Sequence, residues 1–247
     1  MFIKEFELAK SVAAKTAKML QKIYISDVKI ISSKGKDIKT EADYAAHKLI
    51  IDSLSHTDIP IVSEEGDYQE FNIHDSQWII DPIDGTYNLS RGFSEAAVSI
   101  SLWDGGLPVF GVIHHLFSND IFTSFKNHGA FKNNEAILLN SVKNIKDAIL
   151  ATGFPTGRDF SNSSIDKFIL NVQKYKKIRM LGSAALMLSY VASGYFDVYH
   201  EEDIYIWDVA AGLAIILEAK GKYIIKPGSN KFQYDVKASN KTLIDKV

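Results

Sequence analysis

The stretch WIIDPIDGT, residues 78–86, is the most informative segment of this sequence. Its apolar start is typical of a buried strand that runs into Asp81, where the following proline is expected to end the strand. Asp84 comes three residues later, so a sharp turn can aim both carboxylates at one point. The amides of Gly85 and Thr86 would then open a helix, a favourable place for a phosphate group. Oxygen ligands in such a turn favour a hard cation, Mg²⁺ or Mn²⁺.

Two further acidic segments distinguish this turn from an ordinary Asp-Pro-Gly loop. The sequence IVSEEG, residues 61–66, places two adjacent glutamates directly after a β-like run. The sequence IWDVAAG, residues 206–212, places Asp208 at the start of a small, apolar helix. A carboxylate flanked by Trp207 and Val209 is poorly solvated and needs a cation or hydrogen bonds to stay ionised. The three segments together predict a metal site built from carboxylates.

The composition excludes several classes of protein. The chain has 247 residues, 46% of them hydrophobic and 23% charged, with a formal net charge of −2. This charge does not favour nucleic acid as a partner. There is no cysteine, which excludes disulfides, thiolate catalysis and cysteine-bound metals. Neither a signal peptide nor an apolar run of about 20 residues is present, so we expect a cytoplasmic protein without a membrane span.

The order of helical and β-like patterns predicts layers of sheet between helices. Apolar residues at helical intervals predict helices over residues 2–23 and 41–54, and Thr40 is the expected N-cap of the second. Short β-like runs follow, and strands and helices alternate in the second half. We expect a half at residues 1–140 with most of the acids and a half at 141–247 with Asp208, packed tightly as one unit.

The acidic segments resemble a known family. DPIDGT at 81–86, followed by Asn88 and Leu89, and WDVAAG at 207–212 look like the two signatures of the inositol monophosphatase family, which belongs to the lithium-sensitive, magnesium-dependent phosphatases. The resemblance covers nearly the whole chain, since four further segments match in the same order: residues 40–43, 64–66, 182–184 and 238–240. It implies an α+β, layered αβαβα sandwich of the type shared with fructose-1,6-bisphosphatase. It also implies a homodimer.

The resemblance further implies a metal site and a reaction. A metal-activated water would hydrolyse the phosphate monoester of a small molecule, without a covalent intermediate. Two or three Mg²⁺ ions would be bound, with Mn²⁺ as a possible substitute. The implied metal ligands are Glu65, Asp81 and the Ile83 carbonyl for the first ion, Asp81, Asp84 and Asp208 for the second, and Glu65 for a third, weaker one.

The remaining implied residues act on the water and on the substrate. Thr86 and Asp43 would orient and deprotonate the attacking water, and Glu64 would support them from behind the ligands. The amides of Gly85 and Thr86 would hold the phosphate. The residues implied to face the alcohol part of the substrate are Gly182, Ser183, Ala184 and Glu201, with Arg179 near them.

The identity of the substrate is less tightly specified. Asn88, Leu89 and Glu201 resemble the branch that acts on myo-inositol monophosphate or a similar polyol phosphate. Related branches accept histidinol phosphate, fructose 1,6-bisphosphate, 3′-phosphoadenosine 5′-phosphate or NADP. Selectivity is expected to lie in the loops at 34–39, 153–159 and 179–184.

Other interpretations have less support from the residues. A phosphatase with an aspartyl nucleophile needs two aspartates two residues apart, whereas Asp81 and Asp84 are three apart. Neither the phosphate loop of NTPases nor the serine elbow of hydrolases occurs. The aromatic cluster Tyr195, Phe196, Tyr199 and Tyr205 is expected to belong to the core and an interface, and only as a platform for a base would it indicate a nucleotide substrate. A regulatory protein that keeps the fold without turnover is the alternative from another class.

Overall fold

The structure is a computed structural model of the chain, and it describes residues 2–25, 30–34, 37–66, 72–155 and 159–247. Its helices are α1 Ile3–Ile25, α2 Glu41–Leu54, α3 Thr86–Ser90, α4 Asn162–Val172, α5 Ala184–Ala192 and α6 Ile206–Glu218.

The strands fall into a hairpin and two larger sheets. The hairpin and first sheet contain β1 Ile30–Lys34, β2 Asp37–Thr40, β3 Ile61–Ser63, β4 Gln77–Asp84, β5 Ala97–Asp104, β6 Leu107–His115, β7 Ile121–Phe125, β8 Gly129–Lys132 and β9 Glu135–Ala136. The second sheet contains β10 Ile149–Ala151, β11 Lys177–Arg179, β12 Val198–Tyr205, β13 Lys222–Pro227 and β14 Gln233–Ser239.

The two N-terminal helices form the first layer. The prediction of α2 is confirmed at both ends, and Thr40 is its N-cap in a reciprocal capping box with Asp43. The apolar stripes of α1 and α2 pack against one face of the first sheet, where Leu20, Ile50 and Trp78 are fully buried. Burial of these stripes supplies most of the stability of such helices.

The first sheet has seven strands in the order β3-β4-β5-β6-β7-β8-β9. The β3–β4 pair is parallel and the other pairs are antiparallel. The second sheet has five strands in the order β11-β10-β12-β14-β13, with parallel pairing among β11, β10 and β12. An apolar cluster containing α5 and α6 joins the two sheets, and Val172 of α4 packs against the outer side of the second sheet. The predicted αβαβα sandwich is therefore confirmed.

Strand β4 continues further than the sequence predicts. Pro82 does not end the strand, because β4 runs on to Asp84 and its pairing with β5 shifts register between Asp81 and Asp84. A bulge accepts a proline, since the extra residue there needs no ladder hydrogen bond. The bulge leaves both aspartates on one buried strand.

Helix α6 lies unusually close to the first sheet. A Cβ atom added to Gly111 of β6 would lie 2.2 Å from the carbonyl oxygen of Ala211 in α6. On its other side, a Cβ on Gly212 would lie 2.5 Å from the Cβ of Leu188 in α5. Glycine at both positions lets the helix that carries Asp208 press against its neighbours.

Within the described residues, no helix is both long enough and apolar enough to cross a membrane. The division at residue 140 stays a prediction. The cluster that joins α5, α6 and both sheets contains residues from either side of that boundary.

We expect Gly111→Ala to lower the free energy of unfolding by about 3 kcal/mol, because the new methyl group must push α6 away from β6. Denaturant unfolding followed by circular dichroism measures the change. Leu107→Ala in the same strand is the control, since Leu107 is 52% exposed, and we expect less than about 1 kcal/mol. Equal losses in the two variants would contradict a tight contact between α6 and the sheet.

Candidate active site

One cavity of about 450 Å³ collects most of the predicted site residues. Its volume is within the usual range for small-molecule sites, about 300–1,000 Å³. Its lining combines acids, loop glycines and apolar side chains: Lys39, Glu64, Asp81, Ile83, Asp84, Gly85, Thr86, Tyr87, Gly153, Phe154, Pro155, Gly182, Ser183, Ala184, Met187, Glu201, Ile204, Tyr205, Trp207 and Asp208.

Three carboxylates from separate segments meet in this cavity. Glu64 follows β3, Asp81 lies on β4, and Asp208 lies in the first turn of α6. One oxygen from each lies within 4.8 Å of the others. This grouping of hard oxygen donors fits a cation such as Mg²⁺ or Mn²⁺.

The two adjacent glutamates have different neighbours in the structure. The sequence placed Glu65 with the metal and Glu64 behind it, but Glu64 belongs to the acidic group and Glu65 is bonded to Lys39. The backbone amide of Glu64 still donates to Ile80, which extends the pairing of β3 with β4. Both glutamates lie just beyond the end of β3 at Ser63. Glu64 therefore joins the expected ligands, and ligation of the metal by Glu65 stays a prediction.

Asp84 lies beside the three acids but is held by α5. Its Oδ2 accepts hydrogen bonds from Ser183 Oγ at 2.5 Å and from the Ala185 amide at 2.7 Å, and its Oδ1 accepts one from the Ala184 amide at 3.3 Å. A carboxylate has about four acceptor positions. Three are filled by these donors, so Asp84 keeps acceptor capacity toward the cavity.

Burial and mutual repulsion disturb the ionisation of these acids. Burial, and then the charges of Glu64, Asp84 and Asp208, raise the pKa of Asp81 well above its ordinary value. Burial and the charges of its acidic neighbours also raise the pKa of Asp208. Burial raises the pKa of Asp84 to about 6 against the opposing effect of its hydrogen bonds with α5. A bound cation relieves this repulsion.

Thr86 and Asp43 form a hydrogen-bonded pair at the edge of the acidic group. Thr86 Oγ1 lies 2.8 Å from Asp43 Oδ1 and 2.9 Å from the Ile83 carbonyl oxygen. Asp43 is buried, and its Oδ2 accepts hydrogen bonds from the amide of Thr40 at 2.7 Å and from its hydroxyl at 2.5 Å. Burial raises the pKa of Asp43, while its bonds with Thr40 and Thr86 act in the opposite direction. The pair can hold or pass on a proton at Asp43 Oδ1.

The predicted phosphate and substrate residues lie on the cavity wall, with one exception. Gly85, Gly182, Ser183, Ala184 and Glu201 line it. Gly85 has a φ of +93°, and a Cβ there would lie 2.6 Å from the Glu95 carbonyl oxygen, so the turn requires glycine.

Arg179 is the exception. It lies on the exposed edge strand β11 and donates to the carbonyl of its neighbour Ile178. It is not among the residues that line the cavity. Its place near the substrate therefore stays a prediction.

Sequence reasoning missed two features of this site. Lys39 lines the cavity, whereas the sequence placed it only at the end of the selectivity loop at 34–39. Asn88 had no assigned role, yet its amide donates to the carbonyls of Glu95 and Leu181, each at 2.7 Å, and so ties α3 to the loop before α5. An asparagine two residues beyond Thr86 was the available signal for that contact. Residues 35–36 and 156–158 of the predicted selectivity loops lie outside the described residues.

The chain is similar to known proteins over most of its length. The family model described as the inositol monophosphatase family matches residues 4–242. The Nus factor SuhB of Xylella fastidiosa is 37% identical over 195 residues, 78% of this chain and 70% of the relative. The fructose-1,6-bisphosphatase/inositol-1-monophosphatase of Thermotoga maritima is 35% identical over 217 residues, 86% of this chain and 81% of the relative. A solved structure of an IMPase from Thermotoga maritima superposes with a TM-score of 0.83 at 30% identity, covering 99% of this chain and 95% of that chain.

We expect the protein in EDTA to lose stability as the pH rises from about 4 to about 8. The pKa of Asp84 is about 6 in the folded protein against an ordinary value of 3.8. The folded state therefore binds more protons than the unfolded state in this window. Stability that is fully present below pH 3.8 is lost as the pH passes 6.

In the same experiment, Asp81→Asn removes one of the crowded charges and keeps an oxygen that accepts the Ile83 amide. We expect this variant to be more stable than the wild type by about 1 kcal/mol near pH 8, with a shallower pH dependence. Thermal unfolding across the pH range measures both effects. Asp52→Asn on the exposed face of α2 is the control, and a destabilised Asp81→Asn protein would contradict repulsion among the acids.

Proposed function

The chain belongs to the inositol monophosphatase family, and on that premise we propose that it hydrolyses the phosphate monoester of a small polyol, with myo-inositol monophosphate as the preferred substrate. The family makes it a phosphatase, whereas the choice of polyol is our proposal. The observation that carries the proposal is the meeting of Glu64, Asp81 and Asp208 within 4.8 Å beside the Thr86–Asp43 pair.

We propose that these acids hold magnesium. Glu64, Asp81 and Asp208 would form the centre of the ligand set, with Asp84 and the Ile83 carbonyl as further oxygens on the same wall. When bound, Mg²⁺ supplies positive charge for the phosphate group and makes water acidic enough to react at neutral pH. We expect two or three Mg²⁺ ions, or Mn²⁺ in their place. A metal titration measures both the number of ions and the preferred metal.

The residues of the chain supply positioning and a path for a proton. A water that donates a hydrogen bond to Thr86 Oγ1 can release its proton as Thr86 passes its own hydroxyl proton to Asp43 Oδ1, 2.8 Å away. The proton then rests on the buried carboxyl of Asp43, whose pKa burial raises. The amides of Gly85 and Thr86 would hold the phosphate oxygens, as proposed for this turn.

The alcohol part of the substrate would lie on the opposite side of the cavity. Glu201 and the loop at 182–184 offer acceptors and amides to its hydroxyl groups. Gly153 faces Glu201 closely, since a Cβ on Gly153 would lie 2.8 Å from Glu201 Oε1. The carboxylate of Glu201 beside Gly153 is an acceptor for the hydroxyl groups of a polyol.

A nucleotide phosphatase is the second candidate. The exposed rings of Tyr87 and Phe154 line the same cavity, at 60% and 39% exposure. Stacking of a base on an aromatic ring contributes about 1–3 kcal/mol. Tyr205, from the aromatic cluster considered in the sequence, stacks on Trp207 with ring centroids 4.8 Å apart, so the exposed rings are the better platform.

A non-catalytic regulatory role is the third possibility, and a relative named as a Nus factor keeps it open. The buried acids argue against it, because crowded carboxylates without a cation reduce stability. The homodimer and the lithium sensitivity implied by the resemblance belong to the proposal as well. Sedimentation and lithium inhibition of phosphate release test them directly.

We expect Thr86→Val to lower kcat about 100-fold with little change in KM, because the hydroxyl relay to Asp43 is lost while the shape is kept. Thr86→Ser keeps a hydroxyl and is the matched control, with most of the activity retained. Phosphate release is measured with Mg²⁺ on a panel of inositol, histidinol, fructose and nucleotide phosphates. Equal activity of the valine and serine variants would exclude the relay, and no turnover of any panel member by the wild type would reject the proposed function.

A further inference from the structure

Lys39 occupies a fixed position at the end of β2. The next residue, Thr40, is the N-cap of α2 and is bonded to Asp43 through both its amide and its hydroxyl. The backbone of Lys39 is therefore anchored directly beside the Thr86–Asp43 pair. Its side chain lines the cavity that holds the acids.

The ammonium group of Lys39 has a defined partner. Its Nζ lies 2.5 Å from Glu65 Oε2, and the side chains are 42% and 13% exposed. Glu65 follows Glu64, which belongs to the acidic group. Exposed ion pairs contribute little to stability. This pair is important because it holds the ammonium group of Lys39 beside the acidic group.

The cavity has a strong charge imbalance. Five of its described lining residues carry carboxylates: Glu64, Asp81, Asp84, Glu201 and Asp208. Among those same described residues, Lys39 alone carries a positive charge. A phosphate dianion entering this cavity meets repulsion from the acids, and Lys39 is the cation that the chain itself supplies.

Building on the proposed phosphatase activity, we propose that Lys39 is a fixed cation of the active site, which binds the phosphate group of the substrate and opposes the binding of divalent cations to the neighbouring acids. Glu65 holds the ammonium group in place. A single positive charge acts with opposite sign on the two ligands, because it attracts phosphate and repels Mg²⁺. A lysine that only anchors the turn at Glu65 would change neither the affinity for phosphate nor the affinity for Mg²⁺.

The opposite signs make the proposal testable with Lys39→Met, which keeps the length of the side chain and removes its charge. We expect Mg²⁺ to bind the variant about fivefold more tightly, the effect of one unit charge across a solvated gap. Isothermal titration of the protein with MgCl₂, without substrate, measures this. Inorganic phosphate, titrated in the presence of Mg²⁺, should bind about fivefold more weakly.

Glu65→Gln tests the role of the anchor. It removes a negative charge beside Lys39 and keeps the positive one, so Mg²⁺ should bind more weakly than to the wild type. The double variant should return Mg²⁺ affinity close to the wild-type value. Lys48→Met is the matched control, since Lys48 forms a comparable ion pair with Asp52 on α2 and does not line the cavity. Thermal unfolding of each variant establishes that it is folded, and Lys39→Arg, which keeps the charge, should bind both ligands like the wild type.

The outcomes separate this proposal from the proposed function. Unchanged affinities for Mg²⁺ and phosphate in Lys39→Met would overturn the role of Lys39, even if the wild type is an active phosphatase. Shifts of the same sign for both ligands would overturn it as well. Opposite shifts in a protein that hydrolyses no panel substrate would support the fixed cation and reject the phosphatase.

Discussion

Repulsion among crowded carboxylates, of which Asp81 is buried and Glu64 and Asp208 are partly buried, is the constraint around which this site is built. Asp81 and Asp208 are held together with Glu64 in a cavity where burial and like charge raise the pKa of both aspartates. Hydrophobic burial elsewhere in the sandwich must offset that repulsion, since crowded acids do not attract one another. A divalent cation converts the same arrangement from a source of instability into a binding site. The crowding of acids that lowers the stability of the metal-free protein is therefore the same crowding that creates affinity for a cation.

The layers of the sandwich explain how acids from distant segments meet. The first sheet supplies Asp81 and Asp84, the central helix α6 supplies Asp208, and the second sheet supplies Glu201. Asp84 is also the point where the first sheet is bonded to the N-terminus of α5. A carboxylate at a helix N-terminus is favourable, because the helix dipole and the free amides stabilise its charge. The site is therefore a junction between layers and not a loop added to one of them.

The sequence predicted the layers and the acids but not their directions. The capped helix α2 has the bounds that its pattern indicates, because periodicity and caps are local signals. The sequence assigned the metal to Glu65 and did not predict that Glu64 lies with Asp81 and Asp208, because two adjacent acids look alike in a sequence. Their directions depend on the turn that follows β3 at Ser63. The bulge at Pro82 and the charge of Lys39 beside the acids depend on contacts between segments that no local pattern encodes.

The close contact of Gly111 in β6 with α6 determines which way Asp208 faces. Helix α6 is apolar on nearly all its sides, so it has no amphipathic stripe to set its rotation about its own axis. Successive residues of a helix are about 100° apart, and a small rotation would turn Asp208 away from Asp81. The close contact between Gly111 and the Ala211 carbonyl oxygen fixes the rotation of α6 about its own axis. A design that transfers these acids to another scaffold would therefore have to include Gly111 and Ala211, although neither touches the metal site.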